Sequence, residues 1–302
     1  MAVNKNVKEA LLYETIDGKK TRCNACNHRC IITENKRGIC GVRENRDGKL
    51  YSLVYGKIIA EHIDPIEKKP LYHFMPGTFS LSIATVGCNF RCLHCQNADI
   101  SQQIKNQKSK IKNQNFLGED KTPEQIIQDA LDNKCPSISY TYTEPTIFVE
   151  YALDCMKLAK GEELRNVWVS NGYMTKETLD LVDEYLDAVN IDLKAFSEEF
   201  YQNICGARLK PILENLIDIK KRRIWLEVTT LIIPGKNDSE KELKQIAEFI
   251  KKELGDDTPW HVSRFFPYYK MKDAPPTPVE KIYEAVEIGK KAGLRYVYPG
   301  NV

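Results

Sequence analysis

Three closely spaced cysteines in the first third of the chain have the pattern of a cluster-binding loop. Cys88, Cys92 and Cys95 lie in the segment LSIATVGCNFRCLHCQN, directly after an apolar run of β type that ends at Gly87. Iron-sulfur clusters ordinarily use four protein ligands, so a set of three thiolates leaves one iron without a protein ligand. The spacing therefore predicts a [4Fe-4S] cluster whose open iron binds a substrate or a cofactor.

Zinc is the main alternative for this motif. A zinc site needs a fourth nitrogen or sulfur ligand, and His94 lies within the same segment. However, His94 stands between Leu93 and Cys95 and could hardly bend back to the same ion. We therefore favour the open cluster over zinc.

A second group of cysteines lies nearer the amino terminus and offers enough thiolates to close one metal site: Cys23, Cys26, Cys30 and Cys40. Closed four-cysteine sites are commonly structural zinc, but a second iron-sulfur cluster uses the same number of ligands. Both interpretations stay open, with zinc the first choice and with His28 and His73 as reserve ligands. The remaining cysteines stand alone in periodic segments and are predicted to be small buried hydrophobic residues: Cys135, Cys155 and Cys205.

The elements that would position these residues alternate between β-rich runs and amphipathic helical patterns from about residue 79 onward. This alternation predicts right-handed βαβ units around a parallel sheet. Six or seven strands are too few for a closed eight-stranded barrel, so we predict an α/β fold, a partial (β/α)6-type barrel. The candidate strands are residues 80–86, 137–142, 166–170, 188–193, 223–232, 261–266 and a short one near Tyr296.

Capping residues predict where individual helices begin and end. Thr122 is followed by Pro123 and Gln125, which predicts a helix start with a capping box. Ser239 predicts a second start, and Gly255 predicts the end of that helix. Residues 101–120 are rich in Gln, Asn and Lys, so we predict a loop there.

Residues 1–78 do not share the alternation of strands and helices. We predict that they form a small accessory segment with a four-cysteine metal site, and that residues 79–302 form the partial barrel. Within the accessory segment, Asp47 and Gly48 predict a β-hairpin between residues 41–43 and 50–54.

The composition narrows the class of partner. The 302-residue chain carries 44 basic and 42 acidic side chains, a formal charge of +2, which gives no electrostatic case for nucleic acid or a membrane surface as the main partner. No apolar run approaches the ~20 residues that span a bilayer, and the amino-terminal segment lacks the apolar stretch of a secretory signal. We expect a cytoplasmic location and a small-molecule or protein substrate.

The central cysteine motif resembles that of radical S-adenosylmethionine (SAM) enzymes. In that family the open iron chelates the amino and carboxylate groups of SAM, and the reduced cluster cleaves SAM to methionine and a 5′-deoxyadenosyl radical that abstracts hydrogen. The resemblance implies a [4Fe-4S] cluster and SAM as cofactors, and an electron donor such as flavodoxin or ferredoxin. The chain departs from the family at His94, where an aromatic residue is usual.

Further motifs follow other candidate strands, at the ends where open α/β sheets bind ligands. The segment YTYTEPT resembles the family's Gly-Gly-Glu-Pro motif, with tyrosine and threonine in place of the glycines, and implies that Glu144, beside Thr143, binds the SAM ammonium group. Ser170 and Asn171 begin a segment similar to the family's Thr-Asn-Gly, which implies contacts with the ribose hydroxyls.

Two charged residues share one face at the end of the candidate strand AVNIDLKAF. Asp192 and Lys194 match an Asp-Leu-Lys of the pyruvate formate-lyase activating enzymes, which implies that Lys194 approaches the SAM carboxylate. A structural ion pair between the two is the alternative. His261 and Arg264 lie on a later candidate strand, and either could line the active site, although a structural role is preferred for His261.

Over almost its whole length the chain closely resembles the radical SAM component of the AmmeMemoRadiSam system, a branch of the pyruvate formate-lyase activase-like enzymes. The most specific segments are CNACNHRC, RGICGVR, GCNFRCLHCQN, YTYTEPT, NIDLKAF and SRFFPYY, with EKKPLYHFMPG linking the cysteine groups. Members of this branch usually continue into a cysteine-containing tail, so we expect a truncation after Val302. The implied activity is hydrogen abstraction from an unidentified substrate. The alternatives are a glycyl-radical enzyme activase and, more remotely, a non-catalytic iron-sulfur or metal-binding adaptor.

Overall fold

Eight strands form the central sheet and lie side by side in the order in which they occur in the chain. The computed structural model describes residues 6–102 and 117–302. The first strand pairs antiparallel with the second, and each later pair is parallel. The strands are β1 (Ala60–Pro65), β2 (Phe79–Ala84), β3 (Ser137–Tyr140), β4 (Arg165–Ser170), β5 (Ala188–Asp192), β6 (Trp225–Ile232), β7 (Trp260–Arg264) and β8 (Val297–Gly300).

This sheet confirms the predicted fold class. The seven strands expected from the sequence are present as β2 to β8, all parallel. Because β1 and β8 form opposite edges, the sheet is not closed into a barrel. Strand β1 lies within residues 1–78, so the sheet extends one strand to the amino-terminal side of residue 79. The division of the chain at residue 78 stays a prediction.

The longer helices of the described residues follow the parallel strands, and their apolar faces join the strands in one core. The predicted capping box is confirmed, because Thr122 and Gln125 exchange side-chain and backbone hydrogen bonds. Ser239 caps the second predicted helix, and Gly255, with φ of 100°, follows the turn that extends it. The helices are α1 (Pro123–Asp132), α2 (Val149–Gly161), α3 (Lys176–Val182), α4 (Lys210–Lys221), α5 (Glu240–Phe249) and α6 (Val279–Ala292).

The amino-terminal region consists of short antiparallel strands. The predicted hairpin is confirmed, since Arg43–Arg46 pairs with Lys49–Ser52 across Asp47 and Gly48. Both turn residues have positive φ, as a two-residue turn of type I′ requires. The other short strands are Lys8–Glu9, Tyr13–Ile16, Lys20–Cys23, Ile31–Ile32 and Lys57–Ile58, the last of which pairs with Glu119–Asp120.

Three further sequence predictions concern single residues or segments. The isolated cysteines are buried as predicted: Cys135, Cys155 and Cys205. The loop predicted over residues 101–120 lies mostly outside the described residues, which omit 103–116. No helix within residues 6–102 and 117–302 is long and apolar enough to cross a membrane.

Candidate active site

A cavity of about 320 Å³ opens at the carboxyl ends of the parallel strands. This is the edge where ligands bind in open α/β sheets. The cavity brings together all nine residues predicted to serve the central cluster and SAM: Cys88, Cys92, Cys95, Thr143, Glu144, Ser170, Asn171, Asp192 and Lys194. The four amino-terminal cysteines line a separate small cavity instead: Cys23, Cys26, Cys30 and Cys40.

The loop that carries the three central cysteines is held by backbone hydrogen bonds. Arg91 N donates to Cys205 O at 2.8 Å, and Leu93 N donates to Ile204 O at 3.0 Å. Gly87, at the turn into the loop, has φ of 99°, and a Cβ there would lie 2.9 Å from Cγ1 of Val42. A residue with a side chain would therefore be strained at this position, which explains the glycine before the first cysteine.

The three thiols of this loop fit a cluster by their chemistry and position. Cys92 is buried and the other two are half-buried, on the wall of one cavity. A hydrogen bond with Cys205, together with burial, raises the pKa of Cys92 well above its usual value, and burial also raises that of Cys95. Cluster binding would therefore have to displace the thiol protons.

Neither cysteine group is prearranged as a complete metal site. In the parts of the chain that the structure describes, no three His, Cys, Asp or Glu side chains already form an arrangement that could hold a metal ion. The fit of both groups therefore rests on the donor set and on the shared cavity that each group lines.

Glu144 is a buried carboxylate at the start of the turn that follows β3. Its Oε1 accepts hydrogen bonds from Thr146 Oγ1 at 2.6 Å and from Ser170 Oγ at 2.8 Å. Its Oε2 accepts from Asn171 N at 2.9 Å. Burial raises the pKa of Glu144, although these donors work in the opposite direction. The carboxylate is thus fixed in place by its neighbours, and Glu144 is among the residues that line the cavity.

Ser170 and Asn171 connect Glu144 with the cysteine loop. The hydroxyl of Ser170 donates to Glu144, and the side-chain amide of Asn171 donates to Asn89 Oδ1 at 2.7 Å. Gly172 has φ of 72°, and a Cβ there would lie 2.8 Å from Cγ2 of Ile191. The structure therefore gives Ser170 and Asn171 positioning contacts, and their contacts with ribose stay a prediction.

Asp192 and Lys194 form the ion pair that was the structural alternative for this motif. Lys194 Nζ lies 2.7 Å from Asp192 Oδ2, and its side chain is 14% exposed. Burial would lower the pKa of Lys194, but the Asp192 carboxylate and the nearby sulfurs of Cys92 and Cys205 raise it well above its usual value. Because both residues line the cavity, the pair and a role in SAM binding are compatible.

The three other candidates from the sequence differ in their placement. His94 lines the cavity and is buried, and desolvation together with Lys194 lowers its pKa to about 3. His261 bonds to Glu227 at 2.7 Å, and Arg264 Nε donates to Thr277 O at 2.6 Å. Neither His261 nor Arg264 is among the described residues that line the cavity.

Sequence reasoning missed several residues that line the same cavity. Lys68 and Lys69 come from the segment that links the two cysteine groups, and Tyr142 and Asn97 lie within the segments YTYTEPT and GCNFRCLHCQN but were given no role. No sequence pattern marked these residues: Lys69 is buried and paired with Asp64, as buried lysines usually are, whereas Lys68 is exposed.

The family to which the chain belongs is decided by comparison with known sequences. The sequence model of the Radical SAM superfamily matches residues 82–250. This range is more than half of the chain and includes the cysteine loop and strands β3 to β6. The chain belongs to the radical SAM superfamily. The [4Fe-4S] cluster and SAM predicted as its cofactors are those of this superfamily.

The chain is also similar to individual proteins and to solved structures. An uncharacterized protein from Methanocaldococcus jannaschii is 46% identical over 296 residues, which cover 98% of this chain and 86% of that protein. The pyruvate formate-lyase 1-activating enzyme of Escherichia coli is 22% identical over 173 residues, 55% of this chain and 65% of that enzyme. A radical SAM methyltransferase from Sphaerobacter thermophilus shares the fold with a TM-score of 0.55 at 12% identity, covering 76% of this chain and 68% of that one.

Proposed function

We propose that this radical SAM protein cleaves SAM reductively and abstracts a hydrogen atom from a substrate. The observation that carries the proposal is the convergence of nine predicted residues from four separate segments on one cavity. When bound, the cluster and SAM supply the electron and the 5′-deoxyadenosyl radical. The residues of the chain hold and orient these groups.

Each predicted residue has a position that suits this role. Cys88, Cys92 and Cys95 would hold three irons of the cluster. Glu144, fixed by its neighbours, would accept a charge-assisted hydrogen bond from the SAM ammonium group. Lys194, already oriented by Asp192, would donate to the SAM carboxylate.

The direct test is the release of 5′-deoxyadenosine. The protein is reconstituted anaerobically with iron and sulfide, then given dithionite and SAM, and a flavodoxin or ferredoxin replaces dithionite in a second series. We expect release by the wild type and none after Cys88, Cys92 and Cys95 are all changed to Ala. Undiminished release by the triple variant would refute the assignment. No release from a fully loaded wild type would favour the adaptor alternative.

A second candidate function is the activation of a glycyl-radical enzyme. The similarity to the Escherichia coli activating enzyme favours it, and so does the resemblance to the AmmeMemoRadiSam branch, which we retain as a proposal. Here the hydrogen atom would come from a glycine Cα of a partner protein. An extract of the source cells, incubated with reduced protein and SAM, would then develop a protein-bound glycyl radical visible by EPR. Release of 5′-deoxyadenosine without such a signal would favour a small-molecule substrate.

We also propose that the amino-terminal cysteines bind one metal centre, zinc or iron-sulfur. Their thiols line one small cavity with Arg43. Burial raises the pKa of Cys23 to about 11 while Arg43 opposes the rise, and burial together with the neighbouring sulfurs raises the pKa of Cys26 well above its usual value. A metal ion would remove these protons and join the four sulfurs.

A metal at the amino-terminal cysteines would also stabilise the proposed SAM site. Cys26 forms a β-bridge with Met174, and Asn27 N donates to Tyr173 O at 2.9 Å, in the loop that follows Asn171. On its other side, Thr146 lines the small cavity and also donates to Glu144. Metal binding at the amino-terminal site would therefore stabilise the two segments that position Asn171 and Glu144.

The variant with Cys26 and Cys30 both changed to Ser tests the second centre. We expect it to lose one metal centre per chain and some stability, because metal binding contributes to folding, while the reduced central cluster keeps its EPR signal. A loss of one zinc identifies a zinc site, and a loss of about four irons identifies a second [4Fe-4S] cluster. Unchanged metal content would refute the site.

A further inference from the structure

Two lysines without a role in SAM binding project into the cavity. Lys68 and Lys69 both line it, yet they follow the antiparallel strand β1 rather than the carboxyl end of a parallel strand. That segment is firmly anchored. Ile66 and Leu71 are fully buried, and Pro70 O accepts a hydrogen bond from Asn190 Nδ2 at 2.7 Å. Lys69 is buried, whereas the side chain of Lys68 is 66% exposed, and the ammonium groups of both are held by Asp64.

One carboxylate organises the two lysines from behind. Asp64 Oδ1 accepts from Lys68 Nζ at 2.8 Å, and Asp64 Oδ2 accepts from Lys69 Nζ at 2.6 Å and from the Tyr142 hydroxyl. The two lysines and Tyr142 are among the described residues that line the cavity, whereas Asp64 is not. Two cations therefore face the cavity with one anion behind them, which leaves a local excess of one positive charge.

Tyr142 completes this cluster at the cost of backbone strain. It has φ of 59°, a conformation that is unfavourable for a bulky residue and that is often found at functional sites. Asn97 Nδ2 holds it by donating to Tyr142 O at 2.8 Å. The Lys69 ammonium lies 4.4 Å from the centre of the Tyr142 ring and 3.3 Å from its hydroxyl. The strained backbone thus places an aromatic ring and a hydroxyl beside a buried ammonium group.

The charges of the cavity separate into two groups. Lys194 is paired with Asp192 and Glu144 is bonded to the loop after β4, and these are the residues proposed for the SAM carboxylate and ammonium. Asp64 pairs with Ser80 at the beginning of β2, so Lys68 and Lys69 lie toward the opposite end of that strand from the cysteine loop. SAM itself carries a net positive charge through its sulfonium. A second bound molecule with a negative charge would therefore complement both SAM and the two lysines.

We propose that Lys68, Lys69 and Tyr142 form a subsite for an anionic group of the substrate, a carboxylate or a phosphate. The inference rests on the proposed function, because it names the chemical class of the molecule from which hydrogen is taken. The ammonium groups of the two lysines would donate charge-assisted hydrogen bonds to the anion. Lys69 makes two such bonds, to Asp64 and Tyr142, among the residues that the structure describes, and an ammonium group has three donors.

The test uses reconstituted holoenzyme saturated with SAM and not reduced, so that no turnover occurs. Succinate and inorganic phosphate are titrated separately by isothermal calorimetry. We expect the wild type to bind at least one of them, and Lys69→Met to weaken binding about tenfold or more, as the loss of a hydrogen bond to a charged group does. Lys241→Met, an exposed lysine on α5, is the matched control and should bind as the wild type does.

A second variant guards against misfolding of the first. Tyr142→Phe keeps the ring and removes the hydroxyl that bonds Asp64, so its affinity for the anion should fall while its SAM affinity stays unchanged. Three results would overturn the subsite: no binding of either anion at millimolar concentration, wild-type affinity in both variants, or displacement of SAM by the anion. The 5′-deoxyadenosine assay of the wild type without any anion separates these results from a failure of the proposed function.

Discussion

The buried ion pair between Arg43 and Glu150 should be among the most sensitive points of the fold. The pair joins the amino-terminal region to α2, and the side chains are 2% and 0% exposed. Arg43 donates two hydrogen bonds to the carboxylate, at 3.0 and 2.6 Å. Glu150 also accepts from Leu11 N at 3.1 Å. Loss of the carboxylate would leave a buried guanidinium without its counter-charge.

We therefore expect Glu150→Gln to lower the free energy of unfolding by about 3 to 5 kcal/mol, the cost of removing one partner of a buried pair. The substitution keeps the shape of the side chain but places an amide nitrogen against donors of Arg43 or Leu11. Urea unfolding followed by circular dichroism measures the loss. Glu184→Gln, which breaks the exposed pair with Lys160, is the control and should cost at most about 1 kcal/mol.

The double variant with Arg43 and Glu150 both changed to Met distinguishes charge from packing. Because it removes both buried charges, it should be more stable than Glu150→Gln, as replacement of a whole buried pair by apolar residues often costs little. The reasoning would be refuted if Glu150→Gln cost less than the exposed control. It would also fail if the double variant were less stable than Glu150→Gln.

Other substitutions test the SAM site and one helix cap. Lys194→Ala should weaken SAM binding by about 1 to 3 kcal/mol with the iron content unchanged, and equilibrium dialysis with labelled SAM would show an unaltered affinity if Lys194 lies outside the site. Burial raises the pKa of Glu144, so this carboxylate becomes protonated at a higher pH than an ordinary carboxyl group. The affinity for SAM should therefore begin to fall at that higher pH as the solution is acidified. Glu144→Gln should abolish this pH dependence. Gly172→Ala, with its Cβ against Ile191, should lower both stability and SAM affinity, whereas a well-tolerated alanine would contradict the close packing seen there. Thr122→Ala should cost about 1 kcal/mol in urea unfolding through loss of the capping box, with no change in SAM binding.

Local features of the chain allowed much of the fold to be predicted. The cap at Thr122 and the turn at Asp47 and Gly48 depend on residues within four positions of one another. The strand order could be anticipated because consecutive βαβ units place each new strand beside the last. Strand β1 was not predicted, because it pairs antiparallel with β2 and lies in a region that lacks the alternation of strands and helices.

The chemistry of the central site was determined largely by the sequence. Three cysteines within eight positions supply three of the four ligands of a [4Fe-4S] cluster, whatever the position of the loop in the fold. Glu144, Asn171 and Lys194 follow successive parallel strands, whose carboxyl ends meet at one edge. That geometry places them beside the cysteine loop without further information.

Only the tertiary structure decided which residues support and extend that site. The bonds from Tyr142 to Asp64 and from Asn171 to Asn89 join residues 78 and 82 positions apart. The placement of Lys69 depends on the anchoring of a short segment against residues of β4 and β5. Such contacts leave no periodic pattern in the chain, because each depends on the packing of side chains from distant segments.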